Sequence, residues 1–253
     1  MTRADPVIVS VNGELNDFLP KHQRGKEIHV NISAKRSVKD LIESLGVPHA
    51  EIDRIEVNNN PAAANYSVAP GDRIRAYPLQ MESDEFSLIP RLGLKHPKFI
   101  VDDNVARLAK ILRLLGFDTY QEPGLPDPGI VERAAQDGRV ILTRDRGLLK
   151  RRNVSLGFYL RETSPYKQAQ EIIEKLRLSP LFDPFSRCLV CNGNLGHLPA
   201  GEANNRTDIP GAILHGGNEL YTCDACRRVY WEGSHYLDMV NRIDELTSDH
   251  SIR

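Results

Sequence analysis

The stretch KFIVDDNVARLAKILRLLGFDTY, residues 98–120, decides how the chain must be read. Phe99, Ile100 and Val101 form a short apolar run that stops at two carboxylates, Asp102 and Asp103. Beyond them the apolar spacing becomes helical: Val105, Leu108, Leu112 and Leu115 share one face, and Gly116 supplies the stop a helix needs. The alternation continues. DTYQ (118–121) reads as a second strand, DPGIVERAAQDG (127–138) as a helix and RVILTRD (139–145) as a third strand. SLGFYLRE (155–162) gives a fourth strand, and SPYKQAQEIIEKLRL (164–178) a capped amphipathic helix. Strands that alternate with helices imply a parallel sheet covered by helices.

Open parallel sheets gather ligands beyond the carboxyl ends of their strands. Asp102 and Asp103 stand at one such end and Asp145 at another. Asp127 opens the helix at 127, where an isolated aspartate also serves as a simple N-cap. Two carboxylates about 4 Å apart repel by roughly 4 kcal/mol at an effective dielectric of about 20, so a cluster of them calls for a proton or a divalent cation. A hard cation such as Mg²⁺ or Mn²⁺ suits oxygen ligands and can clamp a phosphate while activating water. In RVILTRDRGLLKR (139–151), Arg144 and Arg146 flank Asp145, and Lys150 and Arg151 follow, with Arg152 next. Such a run is ordinarily a solvated helix face, but here it lies where a phosphate backbone would approach. Arg107 and Arg113, on the helix after Asp102, are further candidates for contact with phosphate.

The rest of the chain frames this segment. Its 253 residues, 40% hydrophobic content and formal net charge of -1 describe a globular protein and exclude a uniformly basic nucleic-acid coat. The start, MTRADPVIVSVNGEL, shows no apolar leader, and no run of about 18 apolar residues occurs anywhere, so a cytoplasmic protein without membrane insertion is expected. Residues 1–80 read as a separate unit. PVIVSVNGELNDFL gives strand and turn, KEIHVNI alternates at period two, and SVKDLIESLGV is a helix from a Ser37 cap to Gly46. DRIEVNNNPA and GDRIRAYPL supply the remaining strands. This β-β-α-β-β order resembles the ubiquitin-like β-grasp of the ThiS and MoaD sulfur carriers. Those carriers end in Gly-Gly, whereas here the last strand runs on through AYPLQMESDEF, which favours a docking or structural role and a protein partner. A polar, proline-punctuated linker is expected at 81–97.

Residues 183–253 carry all four cysteines, as Cys188-x-x-Cys191 and Cys223-x-x-Cys226, ahead of a C-terminal helix. In a reducing compartment, two such pairs make a closed tetrahedral Cys₄ site for a structural Zn²⁺, with His197, His215 and His235 as less fitting substitutes for a thiolate. The long stretch between the pairs, 192–222, must fold back or stay mobile. Arg227, Arg228, Tyr230 and Trp231 set cations beside aromatic rings; packing of Val229, Tyr230 and Trp231 against the α/β domain is the reading preferred over a stacking surface for RNA.

Taken together, FIVDDNVARLAKILRLLGFDT, DPGIVERAAQDGRVILTRDRGLLKR and the Cys-x-x-Cys pairs with RRVYWEGSH resemble the Mut-seven C-terminal RNase domain, a PIN-like nuclease family whose bacterial members often carry a β-grasp domain in front. The resemblance implies an α/β fold: a PIN-like doubly wound parallel sheet over 98–182, an N-terminal β-grasp domain and a C-terminal zinc ribbon. It also implies a metal-dependent ribonuclease. Carried over by motif, Asp102, Asp127 and Asp145, with Asp103 as a supplement, become the acidic site holding Mg²⁺ or Mn²⁺. Relatives usually have another acid just after the Asp127 position, where this chain has Pro128 and Gly129. An RNA-binding or adaptor protein with little or no activity is therefore an alternative. FIVDDN with its following helix and LGFDT also resembles the receiver domain of response regulators, whose paired acids bind Mg²⁺ beside a phosphoacceptor aspartate. Thr143 and Arg144 before Asp145, and RGLLKRR after it, fit that pattern poorly.

Overall fold

A computed structural model describes residues 5–78 and 96–248, apart from the side chains of 234, 235, 247 and 248. The expected linker at 81–97 falls outside the described residues except for its last two positions. In chain order the elements are β1 (Val7–Val11), β2 (Ile28–Val30), α1 (Val38–Ser44), β3 (Ile52–Val57), β4 (Asn60–Pro61) and β5 (Arg73–Pro78). Then come β6 (Lys98–Val101), α2 (Arg107–Leu114), β7 (Thr119–Tyr120), α3 (Asp127–Asp137), β8 (Arg139–Thr143), α4 (Arg146–Leu149), β9 (Gly157–Tyr159) and α5 (Pro165–Leu176). The chain closes with β10 (Leu195–His197), α6 (Ala200–Ala203), α7 (Gly211–Leu214), β11 (Leu220–Cys223), β12 (Val229–Trp231) and α8 (Ser234–Ser248). No helix among the described residues is long and apolar enough to cross a membrane.

The elements form two compact units, each drawn from two stretches of sequence. One combines the N-terminal residues with Gly124–Leu160; the other combines the residues up to Pro123 with those from Arg161 onward. The 98–182 stretch therefore contributes to both.

In the first unit, five strands lie in the order β2-β1-β5-β3-β4. The central pair β1 and β5 is parallel and the others antiparallel, which is the β-grasp arrangement. Period-two patterning produces it: Val7, Val9 and Val11 of β1 face a core completed by Ile74 and Ala76 of β5 and by Val38, Leu41 and Ile42 of α1. Helix α1 begins as its sequence predicts, with the Ser37 side chain accepting from the Asp40 N–H at 3.1 Å. Asn58 and Asn59, both at positive φ (53° and 66°), turn β3 into β4 as a tight hairpin requires. Helix α3, β8, α4 and β9 complete the unit, with β8 and β9 paired in parallel. Val140, Ile141 and Leu142 of β8 are buried, as are Leu148 and Leu149 of α4.

In the second unit β6 and β7 pair in parallel, the sense expected for them and shared by β8 and β9. Phe99, Leu108, Leu112, Leu115 and Phe117 are buried with Ile172, Ile173 and Leu176 of α5. Helix α2 ends at Gly116, whose φ of 94° suits glycine; an added Cβ would lie 2.2 Å from the Asp183 carbonyl oxygen. That close approach brings the chain leaving α5 back along α2, with the N–H groups of Asp183 and Phe185 donating to the carbonyls of Leu115 and Leu114. A three-stranded antiparallel ribbon, β10-β11-β12, follows and carries the cysteines.

Candidate functional site

Each strand-end carboxylate has a distinct local setting. Asp145 follows the buried strand β8, and its N–H donates to the Thr143 hydroxyl at 2.9 Å. Its carboxylate accepts from the Gly147 N–H at 2.6 Å, so Asp145 caps α4 and is held in one orientation at the exposed surface. Asp127 is the first residue of α3 and is paired with Arg151 at 2.9 Å. In the other unit, Asp102 ends β6 and accepts from Asn104, while Asp103 accepts from Gln121 at 3.0 Å.

Most of the cations expected to meet RNA hold other partners. Arg113 is buried, not exposed: its Nε donates to the Thr119 carbonyl at 2.9 Å and its Nη1 to the carbonyls of Leu189 and Val190 at 3.3 and 2.9 Å. Burial lowers its pKa, and the neighbouring cysteine thiolates Cys188 and Cys191 oppose that shift. Arg146 places its guanidinium 5.1 Å from the Phe18 ring centre and 5.2 Å from that of Tyr159, and donates to the Asp17 carbonyl. Lys150 donates to the Glu43 carbonyl at 3.3 Å, Arg151 belongs to Asp127, and Arg144 donates to the Leu160 carbonyl at 3.2 Å. Arg107 lies exposed on α2.

These contacts reveal what the β-grasp sheet packs against, which the sequence alone did not show. His49 lies 2.5 Å from the Glu43 carboxylate and 2.8 Å from the Val154 carbonyl. The buried carboxylate of Glu51 accepts from the Tyr159 N–H of β9. With the Phe18–Tyr159 ring contact at 5.5 Å, they fasten the β-grasp to the α4–β9 segment that follows Asp145.

Among the described residues, the four cysteines are the one group of three or more His, Cys, Asp or Glu side chains close enough to share a metal ion. Their ligand atoms all lie within 4.8 Å of one another, with Sγ–Sγ separations of 3.6 Å for Cys188–Cys226 and 3.4 Å for Cys191–Cys223. Four thiolates about 2.3 Å from a tetrahedral ion would be about 3.8 Å apart, so the cluster fits an ion of zinc's size. The two knuckles repeat one construction. In each, the second cysteine's N–H points to the first cysteine's Sγ at 3.5 Å. The next residue, Asn192 or Arg227, is left-handed (φ 71° and 63°) and donates its N–H back to the first cysteine's carbonyl.

The thiols' titration points the same way. Burial alone would raise Cys188, but donation from the Cys191 N–H, the Tyr230 hydroxyl at 3.1 Å and the Val190 N–H outweighs it and lowers the thiol to about 6. Cys191 goes the other way, pushed up to about 12 by burial and by its three sulfur neighbours. The Cys188 thiolate forms readily, whereas Cys191 and Cys223, both raised by burial, call for a cation.

The stretch 192–222 folds back. Helices α6 and α7 bury Leu198, Ala203 and Ile209 against Leu220, with Val229 and Trp231 packed on them. Val229 and Trp231 thus pack on this inserted segment and not, as expected, on the α/β domain, while Tyr230 turns its hydroxyl to Cys188. Arg206 ties it to the second knuckle, pairing with Asp208 and donating to the Arg227 carbonyl at 2.7 Å.

Comparison with known families gives two matches in this order: a Mut7-C ubiquitin domain over residues 5–84 and a Mut7-C RNAse domain over residues 97–243. No curated protein and no solved structure matches the chain.

Proposed function

The chain belongs to the Mut7-C RNAse domain family, preceded by that family's ubiquitin-like domain, and on this premise we propose that it is a cytoplasmic, divalent-metal-dependent ribonuclease hydrolysing RNA phosphodiester bonds. The observation that carries the reading is Asp145: an exposed carboxylate fixed at the end of a buried strand by Thr143 and Gly147, in a chain whose family acts on RNA.

Asp102, Asp127 and Asp145, with Asp103 in support, are the candidate holders of Mg²⁺ or Mn²⁺. Magnesium ordinarily takes only one or two protein carboxylates and completes its shell with water and substrate phosphate, so an exposed carboxylate such as Asp145 suits it. Bound there, such an ion supplies positive charge to the scissile phosphate and a water of lowered pKa. Asp145 is already oriented by a backbone N–H on one carboxylate oxygen, and a carboxylate has further lone pairs to offer a cation. The Arg151 partner of Asp127 and the exposed Arg107 can each donate to an incoming phosphate, Arg151 by exchanging one oxyanion for another. The four cysteines would hold a structural Zn²⁺ with no open ligand position, so such an ion would fold the ribbon and take no part in hydrolysis. The β-grasp fastens the segment behind Asp145, and its remaining surface serves a protein partner.

A different reading has an observation of its own. Asp127 is paired with Arg151, and Pro128 and Gly129 stand just after it, where relatives usually have an acid. These features favour an RNA-binding or adaptor protein of weak activity. The receiver-like alternative gains nothing from the family match.

Incubation of single-stranded RNA with the protein in Mn²⁺ or Mg²⁺ separates them. Cleavage that stops with EDTA and falls at least a hundredfold in Asp145→Asn and Asp102→Asn supports the nuclease, roughly the scale of losing a charge-stabilising group. Cleavage equal in wild type, both variants and the EDTA control assigns it to a contaminant. RNA binding with a steep salt dependence and no cleavage supports the adaptor.

A further inference from the structure

Beside the cysteine cluster the second unit opens a cleft of about 390 Å³ that neither the metal site nor the strand-end carboxylates use. Much of its wall is aromatic: Phe185, Tyr221, Tyr230, Trp231 and Tyr236. The Tyr230 and Tyr221 hydroxyls are already engaged, by Cys188 at 3.1 Å and Glu219 at 2.9 Å, so ring surface is what these residues contribute. Phe185 and Tyr236 lie 4.7 Å apart at 32°, close to stacked. Phe185 reaches that place through a left-handed backbone, φ 62°, which a bulky residue adopts only where the surroundings impose it.

Charges of both signs complete the wall. Asp183, Glu232 and Arg187 share it, and the exposed Arg228 lies within electrostatic reach of Tyr230. An aliphatic ligand would gain little from this combination. A nucleobase would gain from all of it: its faces stack on rings, its exocyclic amino group donates to a carboxylate, and its phosphate meets a guanidinium. The volume lies near the lower end of the range of small-ligand clefts, about 300–1,000 Å³, which admits one nucleotide and no duplex.

We propose that this cleft binds one unpaired nucleobase of single-stranded RNA, with Tyr236 and Phe185 as stacking residues and Asp183 or Glu232 selecting bases that carry an amino group. Adenine and cytosine are then preferred over uracil. The inference takes from the ribonuclease reading only that the strand is RNA.

Trp231 is the chain's sole tryptophan and lines the cleft, so its fluorescence reports occupancy directly. The experiment titrates the zinc-loaded Asp145→Asn protein, without added Mg²⁺ or Mn²⁺, with short oligo(A), oligo(C) and oligo(U). Saturable quenching by oligo(A) and oligo(C), with oligo(U) several-fold weaker, is expected. Tyr236→Ala, if it retains its zinc, weakens binding roughly five- to 150-fold while Tyr236→Phe does not, as loss of one stacked base predicts. Should Tyr236→Ala lose its zinc, the Asp183→Asn, Glu232→Gln double variant decides, because it must erase the preference over oligo(U). A flat response to all three strands, equal quenching by duplex RNA, or a preference that survives the double variant overturns the proposal. Quenching by a protein whose wild type cleaves nothing removes the ribonuclease reading and leaves the base site standing.

Discussion

A methyl group at position 116 would arrive 2.2 Å from the Asp183 carbonyl oxygen, on a backbone already at φ 94°. Neither partner is a flexible side-chain end, so Gly116→Ala is expected to destabilise the protein by roughly 3 kcal/mol or more, seen as a lower urea midpoint. Arg113, three residues earlier, answers to a different rule. Replacing it with methionine fills the space but leaves three carbonyls without their donor, at a cost of about 2–4 kcal/mol together with weaker zinc retention. The exposed Arg107 should behave oppositely: Arg107→Ala changes stability by less than about 0.5 kcal/mol and lowers affinity for RNA. Equilibrium denaturation and RNA titration of the two variants in parallel check this contrast.

At the level of elements, what could be read in the sequence was what is local. Ser37 caps α1 and Gly116 ends α2 because both signals act within a few residues, and period-two burial in β1 follows from the pleat. The strand-end positions of Asp102 and Asp145 follow from the same patterning. The partners of the basic residues were not legible, because a long side chain finds its acceptor by tertiary folding: Arg146 reaches Asp17 and Lys150 reaches Glu43. No composition rule distinguishes such a guanidinium from one facing solvent. The inserted segment 192–222 was ambiguous for a related reason, since its core of four buried residues has no single dominant period. The ribbon should therefore depend on its ion. Chelation, or protonation of the thiolates in acid, is expected to release one zinc per chain and to unfold β10–β12, with colorimetric zinc release and far-ultraviolet dichroism changing together.

Across the whole molecule, the β-grasp and the segment carrying Asp145 belong to one compact unit, so the N-terminal domain is built into the structure that holds this carboxylate and is not an appendage. Phe18→Leu keeps the core filled but removes the ring contacts with Tyr159 and Arg146, and should weaken the unit by about 1 kcal/mol while reducing RNA cleavage. Cleavage unchanged at that loss of stability would show that Asp145 is positioned without the β-grasp. The first knuckle has a matching reach. Its left-handed residue, Asn192, accepts from the Thr119 N–H at 2.8 Å and donates to Asp118 at 2.7 Å, so one amide side chain splices the metal loop to strand β7. An ion held by the four cysteines, with no part in the proposed hydrolysis, would thus govern the order of a strand in the α/β region, and scarcity of zinc would reach this protein as a loss of architecture before any loss of chemistry.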